Sequence, residues 1–141
     1  MMSITLAISN QIDRIVPNAT IYIEKIEQMF EEPSFYVYEI NATSKDEIMD
    51  QQTRKHMYCV TFFPDSKNEA IGIKEQCENM RNTLLDEFLF LDDLSIKILD
   101  REAKTGQEEL VFTFVVKYRV RKVETVSKIQ TLEQTGGLKR G

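Results

Sequence analysis

The sequence has no tryptophan, one histidine and two cysteines, with three prolines and five glycines in 141 residues. His56 stands between Lys55 and Met57 with no cysteine or aspartate at ligand spacing, which leaves little material for a metal site. Cys59 and Cys77 both fall at apolar-looking positions and form no CxxC, so they read as two buried free thiols. Neither a phosphate-loop pattern nor an HExxH motif is present. The longest apolar runs, 88–91 and 110–116, fall far short of the ~20 residues a membrane span needs. The segment 1–16 lacks a basic n-region and carries Asp13 and Arg14 within its apolar pattern, so no signal peptide is expected. These absences exclude membrane-spanning, disulfide-rich secreted and collagen-like classes, and they weigh against catalysis and against any cofactor.

What is present is the composition of an ordinary globular domain, with 42% hydrophobic and 29% charged residues. One domain is expected over residues 1–122, followed by a C-terminal tail, 123–141, that orders on assembly. The charge is uneven. The chain is −5 overall, yet the stretch from Lys117 to the end is +5, which leaves −10 for residues 1–116. A basic end on an acidic body fits nucleic acid, the acidic body of a neighbouring copy, or a merely solvated tail.

Hydrophobic periodicity predicts the elements. Ile4, Ile8, Ile12, Ile15 and Val16 recur at helical spacing, with Ser3 as N-cap and Pro17-Asn18 as the stop. A short strand follows over 19–26, a polar connection carrying Met29 and Phe30, and a second strand over 34–41. Residues 42–52 are polar and read as a long loop. The third strand, 53–63, has apolar groups on both faces and reads as central, partly covered on each side. Ser66 is placed to cap a second helix whose stripe is Ala70, Ile73, Cys77, Met80, Leu84 and Phe88, with Gly72 near its start. A fourth strand over 94–99, a turn within 100–109 and a fifth strand from Leu110 complete the domain. In that last strand Leu110, Phe112, Phe114, Val116, Tyr118 and Val120 share the core face. The other face turns from apolar to basic at Lys117, Arg119 and Arg121. The fold class is therefore α+β: an antiparallel or mixed sheet of about five strands with two helices packed on it, in the order α-β-β-β-α-β-β.

Four carboxylate pairs (Glu31-Glu32, Asp46-Glu47, Asp92-Asp93, Glu108-Glu109) all fall in predicted turns, where carboxylates are usually solvated. Tyr36, Tyr38, Tyr58 and Tyr118 with Lys117, Arg119 and Arg121 form a conceivable base-stacking platform, which keeps a sheet-based nucleic-acid binder among the readings.

Several stretches also resemble a known family. Residues 31–38, Glu-Glu-Pro-Ser-Phe-Tyr-Val-Tyr, carry a Pro-x-Phe-x-Val strand at Pro33, Phe35 and Val37. Residues 53–64 carry an Arg-x-x-x-Tyr strand ending in an aromatic-proline, at Arg54, Tyr58, Phe62, Phe63 and Pro64. With the leading helix and the closing hairpin, the pattern over residues 4–122 resembles the small tail terminator proteins of tailed phages and prophages of Gram-positive bacteria. The resemblance implies a ring, most often a hexamer, on the head-proximal end of the tail tube. It would stop tube polymerisation and offer a surface to the head connector, with no catalytic residues and DNA only as passing cargo. Its partners would be itself, the tail tube protein and a head connector or neck protein, with assembly in the host cytoplasm. Another head–tail joining protein of the neck is the nearer alternative. Lys117, Arg119, Arg121 and Lys122, facing the acidic body of the next copy, and Asp46 and Glu47 in the 42–52 loop, are the expected subunit or partner contacts.

Overall fold

The computed structural model describes residues 3–24 and 31–121. Along the chain run α1 (Ile4–Ile15), β1 (Ile21–Tyr22), β2 (Ser34–Asp46), β3 (Gln51–Phe63), α2 (Ile73–Glu87), β4 (Phe90–Leu91), β5 (Ile96–Thr105) and β6 (Leu110–Arg121). The fold is α+β with two helices, as the patterning predicts. The sheet has six strands rather than about five, in the order β1-β2-β3-β6-β5-β4. The added strand is β4, a two-residue edge piece paired with Ile96 and Lys97 of β5. Only β1 runs parallel to its neighbour, so the sheet is mixed. No described helix is long and apolar enough to cross a membrane.

Helix α1 forms where expected. The Ser3 hydroxyl accepts from the Leu6 amide at 3.4 Å, and Ile4, Ala7, Ile8 and Ile12 are buried. The helix ends at Ile15 with Val16 as its C-cap, and Asn18 takes a positive φ of 65° in the turn that leads to β1. Helix α2 starts later than expected, at Ile73, with Gly72 as its N-cap and no side-chain cap bond. The reason lies in the preceding loop, where side chains bond local amides in place of a helical turn. Asp65 accepts from the Lys67 amide at 3.0 Å, and Asn68 accepts from the amides of Ala70 and Ile71 at 2.9 and 3.1 Å. Ser66 does not cap the helix. Its hydroxyl donates to Glu32 at 2.6 Å, and Ala70 is left outside the stripe and exposed.

Both helices lie on one face of the sheet. That face carries Phe35 and Val37 of β2, Tyr58, Val60 and Phe62 of β3, and Leu110, Phe112, Phe114 and Val116 of β6, all buried. Phe88, at the end of α2, is 0% exposed and meets Phe114 edge-on at 4.9 Å and Phe112 at 5.7 Å. The sheet-side alternation predicted for β6 is therefore the core alternation.

The largest departure is in residues 42–52. There is no long loop: β2 runs to Asp46 and β3 begins at Gln51, leaving a four-residue turn, Glu47 to Asp50, closed by the Glu47 amide donating to the Gln51 carbonyl at 2.7 Å. Residues 38–50 are exposed, so the strands carry polar side chains on both faces and hydropathy alone cannot distinguish them from a loop. A register shift between Glu39 and Asn41 marks a bulge. Similarly, β5 extends from Ile96 through Thr105, past a bulge between Leu99 and Glu102, into a tight turn where the Gly106 amide donates to the Glu109 carbonyl at 2.7 Å. Strand β1 is two residues long, shorter than the predicted 19–26. The latter part of that range, Met29 and Phe30, Lys122 and the 123–141 tail lie outside the described residues.

Candidate functional site

No described helix covers the second face of the sheet. Register places Tyr36 and Tyr38 of β2 on it, opposite Thr61 and Cys59 of β3, with Val111 and Thr113 of β6 beyond. Cys59 and Thr61 are nevertheless buried, 1% and 8% exposed. Tyr38 bonds Cys59, and that bond, with burial, pushes the Tyr38 phenol up to about 12. The central strand is thus covered by helices on one side and buried at Cys59 and Thr61 on the other. Both cysteines are free and buried, as expected, Cys59 on the open face of β3 and Cys77 on α2.

Beyond the core, β2, β3 and β6 continue together as a three-stranded blade. Its open face is basic. Lys55 lies directly across from Lys117, Thr53 is flanked by Lys45 and Arg119, and Gln51 pairs with Arg121. Lys97 of β5 joins them at a groove of about 510 Å³ shared by Glu47, Thr53, Lys97, Lys117 and Arg119. Lys45, Lys55, Lys97, Lys117, Arg119 and Arg121 are all exposed. The structure brings together the three expected cations Lys117, Arg119 and Arg121, and it adds Lys45, Lys55 and Lys97, which sequence reasoning missed. Only strand register puts residues from four segments on one face.

The tyrosines divide. Tyr36 and Tyr38 share the open face with ring centroids 5.0 Å apart, while Tyr58 and Tyr118 belong to the helix-covered side. Tyr58 is 4% exposed and its hydroxyl shares a 3.2 Å hydrogen bond with Thr5 of α1. Tyr118 stacks on His56 at 5.5 Å and 7°, and the two residues share a 3.0 Å hydrogen bond through His56 Nε2. His56 Nδ1 stands 2.5 Å from Glu39. A platform of all four tyrosines does not exist.

The acidic pairs are mostly exposed, as their turns implied, yet several are engaged in hydrogen bonds. Asp93 accepts from Asn10 at 2.9 Å and from Arg14 at 2.5 Å, and these bonds hold its carboxyl below the usual aspartate range. Gln11, a buried polar residue of α1, accepts from the Asp92 amide at 2.9 Å. Glu32 is lowered by hydrogen bonds from the Ser66 hydroxyl and amide. Asp46 accepts from Gln52 at 3.1 Å and Glu47 from Thr53 at 3.0 Å, so both brace the blade's end. Between them and Asp50 the turn exposes Ile48 and Met49, 84% and 79% accessible.

At the opposite end of the same two strands is a largely apolar cleft of about 500 Å³, walled by Pro33, Phe35 and Phe62 with Pro17, Ile71 and Met80. Three of the strand-motif residues therefore line one cleft. Val37 and Pro64 are buried, Phe63 is half-buried beside Ser34, and Arg54 is exposed across from Tyr118. Among the described residues no three His, Cys, Asp or Glu side chains gather to hold a metal ion.

The fold and these surfaces define an α+β module whose conspicuous features are a basic sheet face that no described helix covers, a projecting blade and a cleft at the blade's root. Residues 3–128 match a family model described as phage tail terminator protein, and the chain belongs to that family. It is a structural component of the phage tail. Comparison with curated proteins yields no match.

Proposed function

We propose that this protein, from a phage or prophage of a Gram-positive bacterium, closes as a ring of six copies on the head-proximal end of the tail tube. There it stops tube polymerisation and presents the docking surface for the head connector. It assembles in the host cytoplasm, acts through its surfaces without catalysis or cofactor, and lets DNA pass through. The observation that supports this reading is the family match over residues 3–128. The geometry agrees with it. A ring needs a heterologous contact, one patch meeting a different patch on the next copy. The turn bearing Ile48 and Met49 and the cleft bearing Phe35 and Phe62 lie at opposite ends of β2 and β3, about 40 Å apart at ~3.3 Å per residue. A tip cannot reach its own cleft, so any seating of one in the other is between copies, with Asp46 and Glu47 at the contact's edge.

The test is solution mass by light scattering over a concentration series, alone and with purified tail tubes, with negative-stain images of both. Rings near six times the chain mass, bound at one tube end, are expected. A chain that stays monomeric and leaves tubes undecorated would overturn the reading.

A further inference from the structure

An isolated grid of cations on a flat sheet is a poor arrangement for the chain itself, because like charges directly opposite one another repel. Lys55 faces Lys117 across β3 and β6, and Arg119 and Arg121 follow at every second residue, about 6.6 Å apart along the strand. Lys45 and Lys97 extend the grid to the two flanking strands. Among the described residues, two carboxylates share this face. Glu47 is already engaged by Thr53, and Glu102 lies farther along, opposite Thr113. Of the other described acids, Asp13, Asp65, Glu69, Glu75, Asp86 and Glu87 belong to the helix layer and its loops. That layer is ~10 Å away, about one screening length at 0.1 M salt.

The make-up of the grid distinguishes its partner. Four of the six cations are lysines, a residue depleted at protein interfaces, and no aromatic lies at the grid's centre; Phe90, 48% exposed, stands across from Lys97 at its β4 edge. Leu99 and Met57 border the grid on its core side, Met57 being 37% exposed. Lysine and arginine without central anchors are the ordinary equipment for phosphate oxygens. We propose that the basic half of the open sheet face is a binding site for the phosphodiester backbone of DNA, sequence-independent and electrostatic. The inference stands on the sheet face itself and holds whether or not a ring closes. It makes the protein a grip on DNA rather than an inert passage.

The experiment is binding of the full chain to a fluorescently labelled 20-base-pair duplex between 25 and 200 mM salt. Six phosphate contacts predict a log-affinity against log-salt slope of about −5. The variant Lys55→Glu/Lys117→Glu/Arg119→Glu, checked for fold by circular dichroism, is expected to lose at least tenfold in affinity and to flatten the slope by about 3. Its solution mass is expected to equal the parent's. Lys67→Glu/Lys74→Glu, on the α2 side, is expected to bind as the parent does. Absence of salt-dependent binding at 25 mM would overturn the proposal, as would equal loss in the α2-side variant. A triple variant whose solution mass changes would overturn it in favour of an acidic second copy.

Discussion

Lys55 and Lys117 stand directly opposite each other on the open face of the sheet, two ammonium groups in a cross-strand pair. Such a pair destabilises the sheet by roughly 0.2–1 kcal/mol. Lys117→Glu is therefore expected to raise the melting temperature while weakening DNA binding. Stability and function would move in opposite directions, measured by thermal unfolding alongside the duplex titration. A variant that lost both would point to a structural role for Lys117.

Asp93 couples α1 to the turn after β4. Hydrogen bonds from Asn10 and Arg14 lower its carboxyl below the ordinary aspartate value in the folded state. A lowered carboxylate contributes stability above its unfolded pKa, about 3.9, and loses it as pH falls through the folded value. Asp93→Asn is thus expected to be less stable than the parent at pH 7, with the gap closing below about pH 4. Melting curves from pH 7 down to pH 2.5 give the check. A gap that stays constant would remove the carboxylate from the account.

Met49 holds a positive φ of 62° at the blade's turn while its side chain is 79% exposed. A left-handed conformation costs an L residue about 1 kcal/mol. Met49→Gly should then unfold no earlier than the parent, because glycine adopts this backbone freely. If the tip seats in a neighbour, the same change should weaken ring formation by light scattering. Unaltered assembly would take Met49 out of the interface.

Phe88 and Leu89 are neighbours with opposite fates, 0% and 39% exposed. Phe88→Ala empties the space against Phe112 and Phe114 and is expected to cost about 3–5 kcal/mol, a large part of a domain's total stability. Leu89→Ala should cost under about 1 kcal/mol. Denaturant titration separates them, and similar losses would contradict the packing of the α2 terminus.

Elements whose side chains alternate between core and water are legible in the amino-acid sequence. The stripe of α1, the Ser3 cap and the Leu110-to-Val116 alternation depend on local spacing, and local spacing is what a sequence displays. The α2 stripe is legible at Cys77, Leu84 and Phe88, but its start is not. There Asp65 and Asn68 capture amides that a helix would otherwise use. The polar strands beyond Glu39 are illegible because both their faces meet water, and hydropathy then carries no period.

The basic site shows the same division. Three of its described cations, Lys117, Arg119 and Arg121, alternate along one strand and can be read directly from the chain. The other three, Lys45, Lys55 and Lys97, join them only through the pairing of β2 with β3, β3 with β6 and β5 with β6. A one-residue slip in any of those registers would turn a strand's cations to its other face. The sequence by itself determined the α+β class, the core face and the basic strand end, because each is written in nearest-neighbour spacing. Tertiary structure alone decided that the cations form a single surface, that a supposed loop is a paired blade, and that a cleft lies at its root. Those features depend on hydrogen-bonded register between segments distant in the chain, which no local pattern records.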